Sequence, residues 1–161
     1  MHVLVATDGE MDTTAAADFA ATLAGTDGRV TVLTVVEVPR AFLADVRSHW
    51  GAEDGPSVVA DYTYVETPKA QQDGPTGWPG DDALIERYLG DKLRQNTAPL
   101  VSALEERGIQ TDARVVESEN VAPTIIEQLV ALGAEVVVIG SHGQGLFQGL
   151  LGSTGTKIVR R

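Results

Sequence analysis

The stretch Glu135–Ser153 reads EVVVIGSHGQGLFQGLLGS. A short apolar run, Val136 to Ile139, meets Gly140. Ser141, His142 and Gly143 follow, then a loop with Gly145 and Gly149, then Gly152-Ser153-Thr154. This pattern predicts a buried strand that opens into a glycine-rich loop and then a helix start. Such a junction turns backbone N–H groups outward where the helix dipole is positive, so it suits an anion such as phosphate.

Working back from this stretch, strand and helix signals alternate. His2 to Ala6 (HVLVA) is short, β-branched and apolar, the mark of a buried strand. Asp12 and Thr13 are placed to cap a helix. Ala16, Phe19, Ala20 and Leu23 fall at helical spacing and predict its apolar face, with Gly25 and Gly28 ending it. Arg29 to Val36 (RVTVLTVV) predicts a second strand. Residues 51–81 are rich in glycine, proline and acids. That length without a periodic pattern predicts a mobile insertion in an otherwise single domain over 1–161.

Asp81 or Asp82 is then placed to cap a long helix with apolar positions Leu84, Ile85, Tyr88, Leu89, Leu93, Leu100, Val101 and Leu104. Pro99 lies inside it and is expected to kink or split it. Gly108 stops it. Ile109 to Val116 predicts a third strand. Asn120 is placed to cap the next helix, with Pro123 in its first turn. Ile125, Ile126, Leu129 and Val130 form its expected core face, and Gly133 ends it. A last short helix is expected from about Ser153 to Arg160. The alternation implies an α/β fold, an open and mostly parallel sheet of about four strands with helices on both faces. Ligands of such sheets bind outside the carboxyl ends of the strands, where the strand order reverses.

Composition narrows the function. The chain has 161 residues and a formal net charge of −11, with only three lysines, Lys69, Lys92 and Lys157. That surface repels nucleic acid and anionic membrane. A phosphate ligand must then be held by backbone amides rather than by many side-chain cations. No apolar run is long enough to span a membrane, and MHVLVATDGE has no secretory leader. The absence of cysteine excludes disulfides and thiol chemistry. Three widely spaced histidines argue against a transition-metal site. The acidic, lysine-poor surface also suits a salt-rich cytoplasm.

VLVATDG (Val3–Gly9), VTVLTVVEV (Val30–Val38), EVVVIGSHG and GLLGSTGTKIVRR together resemble the universal stress protein family. The resemblance implies strand order 3-2-1-4, with a buried-edge Asp8 closing the first strand. It implies a cytoplasmic stress-response protein that binds ATP at the switch point without fast catalysis, Mg²⁺ bridging the phosphates. The ATP-binding members carry G-x2-G-x9-G-S/T. Here Gly140-x2-Gly143 and Gly152-Ser153 match, but the spacer Gln144–Leu151 is one residue short. The family's usual fifth strand is absent from the sequence. That strand commonly forms the homodimer contact, so a homodimer is an expectation that lacks its usual contact.

By the same resemblance, Asp8 bonds the adenine or ribose, and the backbone of Val35 contacts adenine. Thr7 is a weaker candidate. Gly140 and Gly143 let the backbone approach the phosphates. Gly152, Ser153 and Thr154 offer amides and hydroxyls to the β- and γ-phosphates, and His142 packs against or bonds the ligand. Each has a plainer reading: Asp8 as a turn former bonding its own backbone, Gly140 as a strand stop needing positive φ, Ser153 as a helix cap. His142 has no evident partner or nucleophile for acid–base catalysis. An alternative function is a family member that binds no nucleotide and serves as a protein-interaction module. ATP pyrophosphatases and receiver domains fit less well, because ATDGEMDT holds one glycine and Asp8 has no paired acid beside it.

Overall fold

A computed structural model describes residues 1–49 and 80–140. Four strands are present among them: β1 (His2–Ala6), β2 (Arg29–Val36), β3 (Gln110–Glu117) and β4 (Val136–Ile139). All neighbours are parallel, in the order β3-β2-β1-β4. The helices are α1 (Thr13–Ala24), α2 (Arg40–His49), α3 (Asp81–Glu105) and α4 (Val121–Leu132). The α/β class and the 3-2-1-4 order are those expected.

The chain forms two compact units, Met1–Glu37 with Asp91–Arg161, and Val38–Gly90. In the first, the sheet is covered on both faces. Val3, Val5, Val30 and Val32 pack against Ala17, Ala20 and Ala24 of α1 and against Leu100 and Leu104 of α3. Leu4, Ala6 and Leu33 face the other way, with Ile125, Leu129 and Leu132 of α4 packed on that side. Strands β1 and β2 alternate between two cores, which is why they read as nearly continuous apolar runs, whereas β3 is largely exposed. In the second unit Val38, Leu43 and Leu84 form a small core with Ile85, Tyr88 and Leu89.

Several expectations change. The buried face of α1 is its alanine face, and Phe19 is 56% exposed. Small side chains let this helix lie close on the sheet, so hydrophobic size misleads there. Val130, expected in the core, is 75% exposed, while Ile125 is buried. Pro99 does not split α3, which runs through it. Helix α2 had no sequence expectation at all. The proposed insertion at 51–81 and the terminal helix lie outside the described residues, apart from Gly80 and Asp81 at the start of α3.

Candidate functional site

The strand order reverses at β1. The chain steps outward from β1 to β2 to β3, then crosses back to place β4 on the other side of β1. In open parallel sheets ligands bind outside the carboxyl ends of the strands that flank such a reversal, here β1 and β4. The register puts Ala6 beside Leu33 on one side and Ile139 on the other. The next residues on each strand bring Thr7, Asp8, Thr34, Val35 and Gly140 to the same edge of the sheet.

Thr7 is buried and still belongs to the sheet through its N–H, which donates to the Leu33 carbonyl at 2.9 Å. Its hydroxyl then accepts the Gly9 N–H at 2.9 Å. In a continuing parallel ladder the Gly9 N–H would instead reach for the Val35 carbonyl. The Thr7 turn therefore peels β1 away from β2. Leu33 offers its carbonyl to the β1 side, whereas Val36 offers its own to Ser118 N on the β3 side at 3.0 Å. Backbone direction alternates along a strand, so the N–H and C=O of Val35 face the β1 side, where the chain has turned off. A main-chain donor and acceptor thus face the place that β1 has left, and no side chain records it.

Asp8 is exposed, not at a buried edge. Its Oδ1 accepts the Glu10 N–H at 3.1 Å, the local turn bond that aspartate favours. The turn itself is therefore held by Asp8, whatever else the carboxylate contacts. Gly9 has φ +93°, a conformation that glycine alone adopts without strain. Asp12 caps α1 as expected, its Oδ1 accepting the Ala15 N–H at 2.9 Å.

Gly140 does not have positive φ, so the strand-stop reading does not explain it. Its neighbour does. A Cβ at Gly140 would lie 3.1 Å from Met11 Cβ and 3.2 Å from Met11 Cε. Met11 also packs against the α1 side of the core. It joins the β1 turn to the end of β4, and it was not expected from the sequence. Its one signal was an apolar side chain inside the acidic turn DGEMDT.

Thr7, Asp8, Val35 and Gly140 are thus gathered at one edge. His142, Gly143, Gly152, Ser153 and Thr154 lie outside the described residues. Among the described residues, no group of three or more acids and histidines is placed to hold a metal ion. No described helix is long and apolar enough to cross a membrane.

A parallel sheet of this order, with helices on both faces, defines an open, doubly wound α/β architecture. The sequence profile of the universal stress protein family matches residues 1–161, and the chain belongs to that family. No curated protein matches it. Among solved structures it is similar to a universal stress protein from Archaeoglobus fulgidus, with 16% identity and a TM-score of 0.57, covering 100% of this chain and 92% of that one. It is similar to a universal stress protein from Archaeoglobus fulgidus in complex with dAMP, at 18% identity and a TM-score of 0.52, covering 100% and 90%. It is also similar to a universal stress protein in complex with cAMP, at 21% identity and a TM-score of 0.52, again covering 100% and 90%. At these identities the likeness is one of fold.

Proposed function

We propose that this protein binds an adenine nucleotide, ATP foremost, in the crevice between the carboxyl ends of β1 and β4, as a cytoplasmic stress-response protein without fast catalysis. The observation that carries the reading is the outward-facing backbone of Val35 beside Asp8 and Gly140. Adenine needs one donor and one acceptor at fixed spacing, and a main-chain N–H and C=O supply both. The dAMP and cAMP of the two similar proteins favour the same ligand class.

The turn from Thr7 to Asp12 holds three acids and no cation. Charge balance for a triphosphate then falls to backbone amides of the glycine loop and to Mg²⁺ carried by the phosphates. The second reading, an interaction module without nucleotide, draws on Met11. Packing against Met11 accounts for Gly140 with no phosphate involved.

Thermal melts with MgATP, AMP and cAMP separate the two readings. A ligand at about 100 times its dissociation constant stabilises the fold by about 2.7 kcal/mol. The proposal expects a concentration-dependent rise in melting temperature that is lost in Asp8→Ala. No shift with any of the three ligands at millimolar concentration would leave the interaction module as the better reading, and light scattering over a wide concentration range would then test self-association.

A further inference from the structure

Helix α3 carries an apolar stripe through Leu93, Leu100 and Leu104, and Asn96 lies within it. A half-buried amide on such a stripe requires a partner. Asn96 Nδ2 donates to Thr34 Oγ1 at 2.9 Å, and Thr34 is fully buried on β2. The same residue meets the β1 turn. A Cβ at Gly9 would lie 3.2 Å from Asn96 Cα and 3.3 Å from Asn96 Oδ1. Asn96 therefore touches two residues at once, and each adjoins a crevice residue: Gly9 follows Asp8, and Thr34 precedes Val35.

We infer that Asn96 is a positioning residue of the crevice. Through Thr34 it holds the end of β2, and through Gly9 it seats the β1 turn, so it sets the gap between the Asp8 carboxylate and the Val35 backbone. The inference rests on the adenine-nucleotide reading. Stability alone does not call for this arrangement, since leucine at 96 facing valine at 34 would continue the apolar stripe with no polar group to satisfy. The hydrogen bond instead fixes one distance and one direction. Other anchors of this turn include the Gly9 N–H on the Thr7 hydroxyl, the Glu10 N–H on the Asp8 carboxylate, and Met11 against Gly140.

The test is calorimetric titration of MgATP into the wild-type protein, Asp8→Ala, Asn96→Leu, Thr34→Val and the Asn96→Leu/Thr34→Val double variant. All are measured well below their melting temperatures, so that lost stability does not enter the affinity. Asn96→Leu and Thr34→Val are each expected to weaken binding about tenfold, the scale of one intramolecular hydrogen bond. The double variant should be no weaker than either, because both changes break the same link. Amide exchange in the ligand-free proteins gives a second readout: Gly9 N–H should exchange about tenfold faster in Asn96→Leu than in wild type. If wild type binds, Asp8→Ala does not, and Asn96→Leu binds like wild type, the positioning role is overturned while the nucleotide reading stands. If wild type binds no adenine nucleotide, the reading falls and the inference falls with it.

Discussion

Met11 occupies the space that a side chain on residue 140 would need. Its Cβ and Cε stand 3.1 and 3.2 Å from where a Cβ on Gly140 would be. Two loops of the switch point are thus fitted to each other by one thioether side chain and one missing methyl. Gly140→Ala should therefore destabilise the protein by about 1–3 kcal/mol, the usual cost of overpacking. The Met11 Cβ is not a flexible end that can swing aside, so relaxation is limited. Met11→Ala should remove most of the penalty of Gly140→Ala. Urea denaturation of the two single variants and the double variant measures the coupling. Nucleotide affinity of the double variant then asks a separate question. If phosphates need the bare backbone at 140, binding stays weak even after the packing conflict is relieved.

Gly9 is constrained from two directions. Its φ of +93° disfavours any L side chain, and a Cβ there would lie 3.2 Å from the α3 backbone at Asn96. Gly9→Ala is expected to cost about 1–3 kcal/mol from the backbone conformation, with the contact adding to it. The strain falls on the turn that carries Asp8. Gly9→Ala should thus lose nucleotide affinity beyond what its melting temperature would suggest, which titration at low temperature measures.

The two helix starts that look alike in sequence behave differently. Asp12 caps α1 through its carboxylate, whereas Asn120 makes no side-chain cap bond at the start of α4. There Ser118 Oγ accepts the Asn120 N–H at 3.0 Å, and the Thr124 hydroxyl lies 2.8 Å from it. Asp12→Ala should cost about 1 kcal/mol. Asn120→Ala should stay within about 0.5 kcal/mol of wild type. Ser118→Ala should exceed Asn120→Ala. Denaturant midpoints at constant m-value decide the order.

These contrasts show where the sequence was readable. The strands β1 and β2 fall on the residues their apolar runs marked out, because a strand buried on both faces leaves a continuous apolar signature. Helix faces were harder. Alanine carries a weak hydrophobic signal, so the spacing points Phe19 inward although Ala17, Ala20 and Ala24 are the buried residues. Asp8 and Gly140 were legible as candidates because a turn acid and a glycine after an apolar run are chemical marks. The direction of the Val35 backbone was not, since it depends on where β1 peels off and on no side chain. Asn96 leaves a trace in the sequence, a polar residue on the apolar stripe of α3. Met11 left only its oddness among acids.

The last prediction concerns the opposite end of the sheet. His2 is buried at the start of β1, with Nε2 2.9 Å from Thr31 Oγ1. Burial, and then the neighbouring Arg29 guanidinium, hold its imidazole below the usual histidine range. The Leu132 carbonyl, Asp112 and Glu135 pull the other way without overcoming this. The folded state therefore resists a proton that the unfolded chain accepts near pH 6.5. Between those two values the unfolded state binds more protons, so stability rises with pH. The contribution is fully present above about pH 6.5 and is lost as pH falls below it toward the folded-state value. His2→Gln keeps a polar group near Thr31 but cannot titrate there. Its melting temperature should decline less than that of wild type between pH 7 and pH 5.5, a window above the ordinary carboxylate range. His49 and His142 are present in both proteins, so the difference between the two curves isolates His2. Parallel curves would mean that the imidazole takes up its proton equally in the folded and unfolded states, contrary to its burial beside Arg29.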